Sequence, residues 1–437
     1  MSSRQPDSSR LQRLEKLLAT VFPESPSAGR RRPMELVRAP GRVVLLGEHT
    51  DYNDGFALSV SIEMDCWIAF RRRSDGQVRI VSCQTGDGGS FWIDAVEPAR
   101  GRTSAEAEAV AGKSETASGR SLVGFWPDAV RRPAQGNPPW VNLAAAMAWS
   151  FRESGLPLHG MDAVVDSTVP IGIGLGAAAA LEIACGIALS GTERAVAAPI
   201  LAALAQRAER EFLDGSASIK DHFASAAGRE GKALLLDCRS LETKLVAMPH
   251  GLRLVVCDTG SHPARDDGRF RERRAECARA VALLSERVVG LTSLRDLDAA
   301  TLKRHRHRLP DPLARRAEHV ISENARVLDA AVALASSDLD DIARLFGASH
   351  ASLRDGFDVS SPEVEAMISV VSEVPGVVAS RLIGPGLGGC TLHLVLEDAV
   401  PALVAAVAER YPARTGLTPA VYPLATADGA GKLLAAG

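Results

Sequence analysis

No excess of charge of one sign marks this sequence: 50 Lys and Arg stand against 53 Asp and Glu, a formal net charge of -3. The electrostatic footprint of a nucleic-acid binder is missing, and polyanionic partners are not expected. Paired cysteines are missing too. Cys66, Cys83, Cys185, Cys238, Cys257, Cys277 and Cys390 stand singly and in odd number, which reads as a reduced chain of the cytoplasm. Nor is there an uninterrupted apolar run of membrane length. The nearest, Val169 to Leu189, carries only Glu182 as a charge, but Pro170 and three alternating glycines open it. That leaves Ala177 to Leu189 as a buried helix too short for a bilayer, and no membrane partner is expected. The N-terminus is polar and then helical in period through Leu11, Leu14, Leu17, Leu18 and Phe22, without the continuous core of an export signal. No internal repeat is visible.

What remains is an ordinary soluble composition, 46% hydrophobic and 24% charged, far from that of disordered chains. The length of 437 residues suits about three domains or, equally well, two intimately packed lobes. Short runs rich in β-branched and aromatic residues predict strands at 34–38, 43–46, 56–70, 78–82, 233–236, 253–257, 377–383 and 391–396. Helical spacing predicts helices at 140–151, 181–189, 197–212 and through much of 271–350, clearest at 315–334. Strands and helices are grouped instead of alternating, so the class is α+β. The expected organisation is an N-terminal helix and joint over 1–33, an N-terminal lobe over 34–200 and a C-terminal lobe over 201–437, with crossing between lobes allowed. Within the first lobe, the small, polar, aperiodic stretch at 96–138 reads as a mobile insertion.

Four constellations carry chemistry. The first is A-P-G-R-V-V-L-L-G-E-H-T-D-Y-N at 39–53, where Arg42, Glu48, His49 and Asp51 flank an apolar strand and can grip the hydroxyls of a small polyol; alone, it also fits a solvated charge cluster. The second is P-I-G-I-G-L-G-A-A-A-A at 170–180 before a helix. Its backbone N–H groups and helix N-terminus suit an anion, without the spacing of a Walker or dinucleotide loop. The third is A-E-R-E-F at 208–212 followed by S-I-K-D-H-F at 218–223. Asp221, on a loop, can take a hydroxyl proton, and Glu209 can reach a phosphate-held cation. The fourth, I-G-P-G-L-G-G-C at 383–390, reads as a hairpin turn.

Together these resemble the galactokinase branch of the galacto-, homoserine, mevalonate and phosphomevalonate (GHMP) kinases. The supporting segments are A-E-x-E-F, D-H-F-A-S-A-x-G-R-E-G-x-A-L-L-L-D-C-R-S-L at 221–241, C-D-T-G at 257–260 and S-H-x-S-L-R-D at 349–355. The resemblance implies a two-lobed α+β kinase with mixed sheets, the site in the cleft, and phosphoryl transfer from ATP with Mg²⁺ to the anomeric hydroxyl of galactose, by a monomer. Position by position it implies Asp221 as base, Arg42 at the transferring phosphoryl group, and Glu48, His49, Thr50, Asp51, Ser218 and Phe270 at the sugar. It also implies Gly172, Ile173, Gly174, Leu175, Gly176, Ala177 and Ala178 at ATP, and Glu209 at the metal.

The departures cluster at that site. Gly176, Ala177 and Ala178 stand where the family has serines, so the hydroxyl expected to touch Mg²⁺ is absent at Ala178. Ser218 replaces a glycine, Phe270 a tyrosine, Lys220 an apolar residue and His222 a glutamine. Lys220 either points inward, lowering the basicity of Asp221, or is a solvated lysine. Two further readings stay open: a slow or inactive sensor of sugar and ATP, and a kinase for another sugar or sugar acid.

Overall fold

The computed structural model describes residues 7–23, 32–98, 137–192, 195–213, 215, 218–262, 268–384, 386 and 389–433. The insertion expected at 96–138 lies almost wholly outside these residues. Two sheets organise the rest. The first combines β1 (Glu35–Leu46), β2 (Phe56–Arg73), β3 (Gln77–Ser82), β4 (Gly88–Trp92) and β5 (Gly160–Ser167) with β6 (Lys232–Asp237), β7 (Thr243–Ala247) and β12 (Gly431–Leu433). Its order is β12-β1-β2-β5-β3-β4, with β6 on β2 and β7 on β6. Among the described residues, only β3 and β5 run parallel. The second sheet, β11-β8-β10-β9, holds β8 (Leu252–Asp258), β9 (Val377–Ile383), β10 (Cys390–Leu396) and β11 (Ala420–Leu424). Because β6, β7 and β12 follow residue 200 yet join the first sheet, a lobe boundary at 200 cuts through that sheet.

Two expected strands at 34–38 and 43–46 are one twelve-residue strand. Pro40 cannot donate to a ladder, and the register of β1 against β2 shifts between Pro40 and Arg42, so a bulge absorbs it. A Cβ at Gly41 would stand 2.7 Å from the Leu175 carbonyl. Glycine there lets the bulge press β1 against the loop at 170–176.

Strand β5 escapes a sequence reading because Asp162 and Asp166 interrupt its apolar pattern, yet both are buried. Arginines from elsewhere neutralise them: Arg79 Nε lies 2.6 Å and Arg73 Nη1 3.1 Å from Asp162 Oδ1, and Arg10 Nε lies 2.9 Å from Asp166 Oδ2. Arg10 rides on α1 (Ser8–Val21), which Asp7 caps and which packs Leu11, Leu14 and Leu18 against Leu36, Trp67 and Val164.

Four helices complete the frame of the site: α2 (Val141–Glu153), α3 (Ala177–Leu189), α4 (Ala198–Arg207) and α5 (Ile219–Ala227). Helix α3 is buried along most of its length, as its composition implied, and among the described residues no helix is long and apolar enough to cross a membrane. The helix expected over 197–212 is α4 continued by a π-turn, Ala208–Phe212. Asp221, expected on a loop, lies in the first turn of α5. Beyond them, α6 (Arg269–Ser285), α7 (Ala299–His305) and α8 (Asp311–Ser336) share a second core with Leu353, Phe357 and Leu382, and α9 (Leu339–Ala351) packs on β9.

Candidate active site

The strand β1 ends at Leu46, and Gly47 turns the chain at a φ of 99°. A side chain there would collide with Phe56 O at 2.6 Å, so only glycine lets the loop fold back on β2. Thr50 is fully buried, its hydroxyl within reach of the Gly47 carbonyl (2.8 Å) and the Phe56 carbonyl (2.7 Å). It therefore shapes the loop, in contrast to the expected sugar contact. His49 stacks on Phe357 with ring centroids 4.4 Å apart and meets Tyr52 Oη at 3.0 Å through Nδ1. Phe270 approaches both His49 (5.8 Å) and Tyr52 (5.9 Å), forming an aromatic wall.

Glu48 is buried and both its oxygens are engaged. The Gly384 N–H donates to Oε1 at 2.9 Å, and Lys220 Nζ lies 3.3 Å from Oε2. Gly384 belongs to the glycine-rich turn after β9, so this contact ties the second sheet to the loop of the first. The same Lys220 Nζ lies 3.3 Å from Asp51 Oδ1 and 3.3 Å from the Gly47 carbonyl. Lys220 thus points inward and is not a solvated lysine. Burial alone would lower its pKa, but Asp51 and Glu48 hold it above the ordinary lysine value.

Across the cleft, Arg42 and Asp221 form a two-pronged pair: Arg42 Nε donates to Asp221 Oδ1 at 2.7 Å and Nη2 to Oδ2. Arg42 also holds the glycine loop, through its backbone N–H to the Leu175 carbonyl at 2.9 Å and through Nη1 to the Gly174 carbonyl. Gly172, Gly174 and Gly176 all have positive φ, while Ile173 and Leu175 between them are buried in the core. This alternation anchors the loop and leaves its half-buried glycines leading into α3, where Ala177 and Ala178 begin the helix. Burial raises the Asp221 pKa, but Arg42, followed by Lys220 and His222, overcomes it and keeps the carboxyl below its ordinary value. Ser218 precedes α5, and its carbonyl accepts the Asp221 N–H at 3.1 Å.

Glu209 projects from the π-turn towards Glu182 and His222. The imidazole Nε2 stands 2.7 Å from Glu182 Oε2 and 3.7 Å from Glu209 Oε1. Contacts thus join Arg42, Asp221 and the loop at 174–175, Lys220 with Glu48 and Asp51, and His49 with Phe270, while Glu209 meets Glu182 and His222 beside Asp221 and Thr50 stays inside the loop.

The supporting residues that sequence reasoning missed come mostly from α8. Glu323 accepts the Gly47 N–H at 3.0 Å and the Ser349 hydroxyl at 2.8 Å; Asn324 accepts the Phe56 N–H at 2.9 Å; His319 Nε2 faces the Glu48 carbonyl at 3.2 Å. Arg381 on β9, fully buried, donates to the Leu45 carbonyl. A signal existed: Arg316, His319 and Glu323 recur at the spacing of a core-facing stripe, polar residues where apolar ones belong.

The galactokinase galactose-binding signature matches residues 27–72, the GHMP kinases N terminal domain 142–229 and the GHMP kinases C terminal domain 330–413. A galactokinase of Roseiflexus sp. (strain RS-1) is 36% identical over 405 residues, covering 92% of this chain and 94% of that one. One of Chloroflexus aurantiacus is 37% identical over 407 residues, covering 91% and 93%. Among solved structures, the Lactococcus lactis galactokinase complexed with galactose superposes with a TM-score of 0.82 at 26% identity over 97% of this chain and all of the other. A mevalonate kinase shares the fold, with a TM-score of 0.58 at 14% identity over 90% and 99% of the two chains. The three family models, in this order and at these positions, and relatives matched along nearly their whole length establish that the chain belongs to the galactokinase family of the GHMP kinases.

Proposed function

We propose that this galactokinase transfers the γ-phosphoryl group of ATP to the anomeric hydroxyl of galactose, with Asp221 and Arg42 at the reacting atoms. The observation that carries the assignment is the two-pronged Arg42–Asp221 pair, whose arginine is also fastened to the glycine loop. One residue thereby links the place for phosphates to the place for the sugar. The sugar hydroxyl oxygen attacks the γ-phosphorus, the bond to the bridging oxygen of ADP breaks, and the hydroxyl proton passes to Asp221. A carboxylate held below its ordinary pKa is a weak base, but a loose phosphoryl transition state asks mainly for alignment and charge neutralisation. Asp221 orients the hydroxyl and receives its proton as the new P–O bond makes it acidic.

Glu48, His49 and Asp51 would hold the sugar hydroxyls, with Phe270 lining the pocket. Lys220 sits against Glu48 and Asp51, and Arg381 Nη2 lies 3.9 Å from Glu48 Oε1, so two carboxylates face two cations and this part of the site carries no net positive charge. That balance favours a neutral hexose over a sugar acid. Residues 172–178 would cradle the phosphates through backbone N–H groups. Glu209, half-buried and facing a second carboxyl, fits a cation, and Mg²⁺ held by it with the ATP phosphates would neutralise charge there.

Ala178 is the feature that favours the slower, sensor-like reading. Ala178→Ser, restoring one oxygen donor, is expected to lower the KM for Mg-ATP or raise kcat by about tenfold, the worth of one hydrogen bond to a charged group. An unchanged kcat/KM would remove Ala178 as a limit on turnover. The reading as a whole is tested by coupled ADP release with Mg-ATP against hexoses, pentoses and hexuronic acids. Release with galactose supports it; galactose-dependent thermal stabilisation without release from any sugar supports the sensor.

A further inference from the structure

Two buried groups, Glu182 and His222, and the half-buried Glu209 form a cluster that the transfer itself does not use in full. Glu182 stands one helical turn after Ala178, on the same face of α3. Its carboxyl is fully buried; Oε2 meets His222 Nε2 at 2.7 Å, and the group lies close enough to the Glu209 carboxyl for the two to share a proton. Glu209 comes to the same point from the π-turn, a helical irregularity that often marks functional sites. One ligand atom from each of Glu182, Glu209 and His222 can be chosen so that all lie within 4.8 Å of one another. Two carboxyls side by side, one fully buried and one half-buried, carry a repulsion that a proton or a cation relieves.

The composition of the cluster sets the ion. Oxygen-only cradles suit Mg²⁺, whereas an imidazole moves affinity towards first-row transition metals. The imidazole is also the departure: His222 stands where the family has glutamine, in the same chain that lacks the hydroxyl at Ala178. We propose that Glu182, Glu209 and His222 form a divalent-cation site with mixed nitrogen and oxygen donors, which takes a transition-metal ion such as Mn²⁺ in preference to Mg²⁺. The proposal rests on the reading above only in that Glu209 faces the nucleotide's cation in both.

The test uses the full chain, metal-stripped and free of nucleotide and sugar, titrated with Mn²⁺ while the free-ion paramagnetic resonance signal is followed, with Mg²⁺ as competitor. One Mn²⁺ per chain is expected, bound at least about tenfold more tightly than Mg²⁺, and His222→Gln should weaken Mn²⁺ by about tenfold or more while leaving Mg²⁺ nearly unchanged. Galactose-induced thermal stabilisation reports whether the variant is folded; where it is not, the isosteric Glu182→Gln takes its place and should weaken both ions, since it removes an anionic oxygen donor. Absence of stoichiometric Mn²⁺ binding, equal affinity for the two ions, or undiminished binding by a folded variant overturns the site. Because no turnover is read, failure here is distinct from failure of the kinase reading, which the ADP-release assay decides alone.

Discussion

Asp221→Ala is expected to lower turnover by about 10²- to 10⁴-fold, the range for removal of a positioned proton acceptor, while galactose still stabilises the protein against heat. The alanine leaves Arg42 without its carboxylate, and an unpaired buried charge costs about 3–5 kcal/mol. Asp221→Asn, which keeps the shape and an acceptor oxygen, separates loss of the base from loss of fold. Turnover within about threefold of the parent in a folded Asp221→Asn would end the assignment, since a true base loss costs far more. The pair also predicts a pH response. Arg42 is the chief influence holding the Asp221 pKa below its ordinary value against burial. The carboxyl is therefore ionised throughout the neutral and mildly acidic range, and it contributes no acidic limb to kcat above about pH 5. In Arg42→Ala burial persists without that opposition, so the pKa rises and an acidic limb moves upward into the measurable range. The readout is the position of the limb, independent of how far the rate has fallen. An Arg42→Ala profile that superposes on the parent would show that Arg42 does not tune this carboxyl.

How far the site could be read from sequence depended on whether a residue's partner lies close in the chain. Arg42, Glu48, His49 and Asp51 sit within one short stretch, and the three alternating glycines announce a loop that opens a helix; both constellations were legible because local spacing decides them. Helix α3 was legible as buried from its composition alone. The frame behind them was not. Glu323, Asn324 and His319 hold the sugar-side loop from about 270 residues away in the chain, and no local pattern distinguishes them from exposed polar residues except their place on the core-facing stripe of α8. Strand β5 was lost for a related reason. Asp162 and Asp166 look like loop residues until Arg10, Arg73 and Arg79 arrive from other elements to make their burial affordable. The π-turn at Ala208–Phe212 is equally hidden: helical spacing persists through it, while one extra residue in the turn re-aims Glu209 towards Glu182. The direction of Lys220 could not be decided from sequence either, because neighbours in the first turn of a helix diverge and the two carboxylates that attract it lie at 48 and 51.

That direction yields the second large effect. Lys220→Met, which installs an apolar side chain of similar length, removes the ammonium that lies 3.3 Å from each of Glu48 Oε2, Asp51 Oδ1 and the Gly47 carbonyl. Two carboxylates are then left side by side in a mostly buried place, a loss of about 3–5 kcal/mol for breaking a buried pair. The Gly384 N–H on Glu48 Oε1 and the Arg381 guanidinium 3.9 Å from the same oxygen soften it. Thermal unfolding of the sugar-free protein is therefore expected at a clearly lower temperature. Galactose should act in the opposite direction. Its hydroxyls can donate to the carboxylates that have lost their cation, so saturating sugar should raise the melting temperature of Lys220→Met by more than it raises that of the parent. A ligand that binds only the folded state stabilises in proportion to its own affinity, and the gain should appear as tighter sugar binding by the variant. Lys220 is also among the groups that hold the Asp221 pKa down, so the variant's carboxyl becomes the stronger base. If the sugar-free variant melts with the parent, the lysine bears no charge load in the folded state. If it melts lower but galactose restores no more than in the parent, Lys220 braces the loop without shaping what the two carboxylates offer to the sugar.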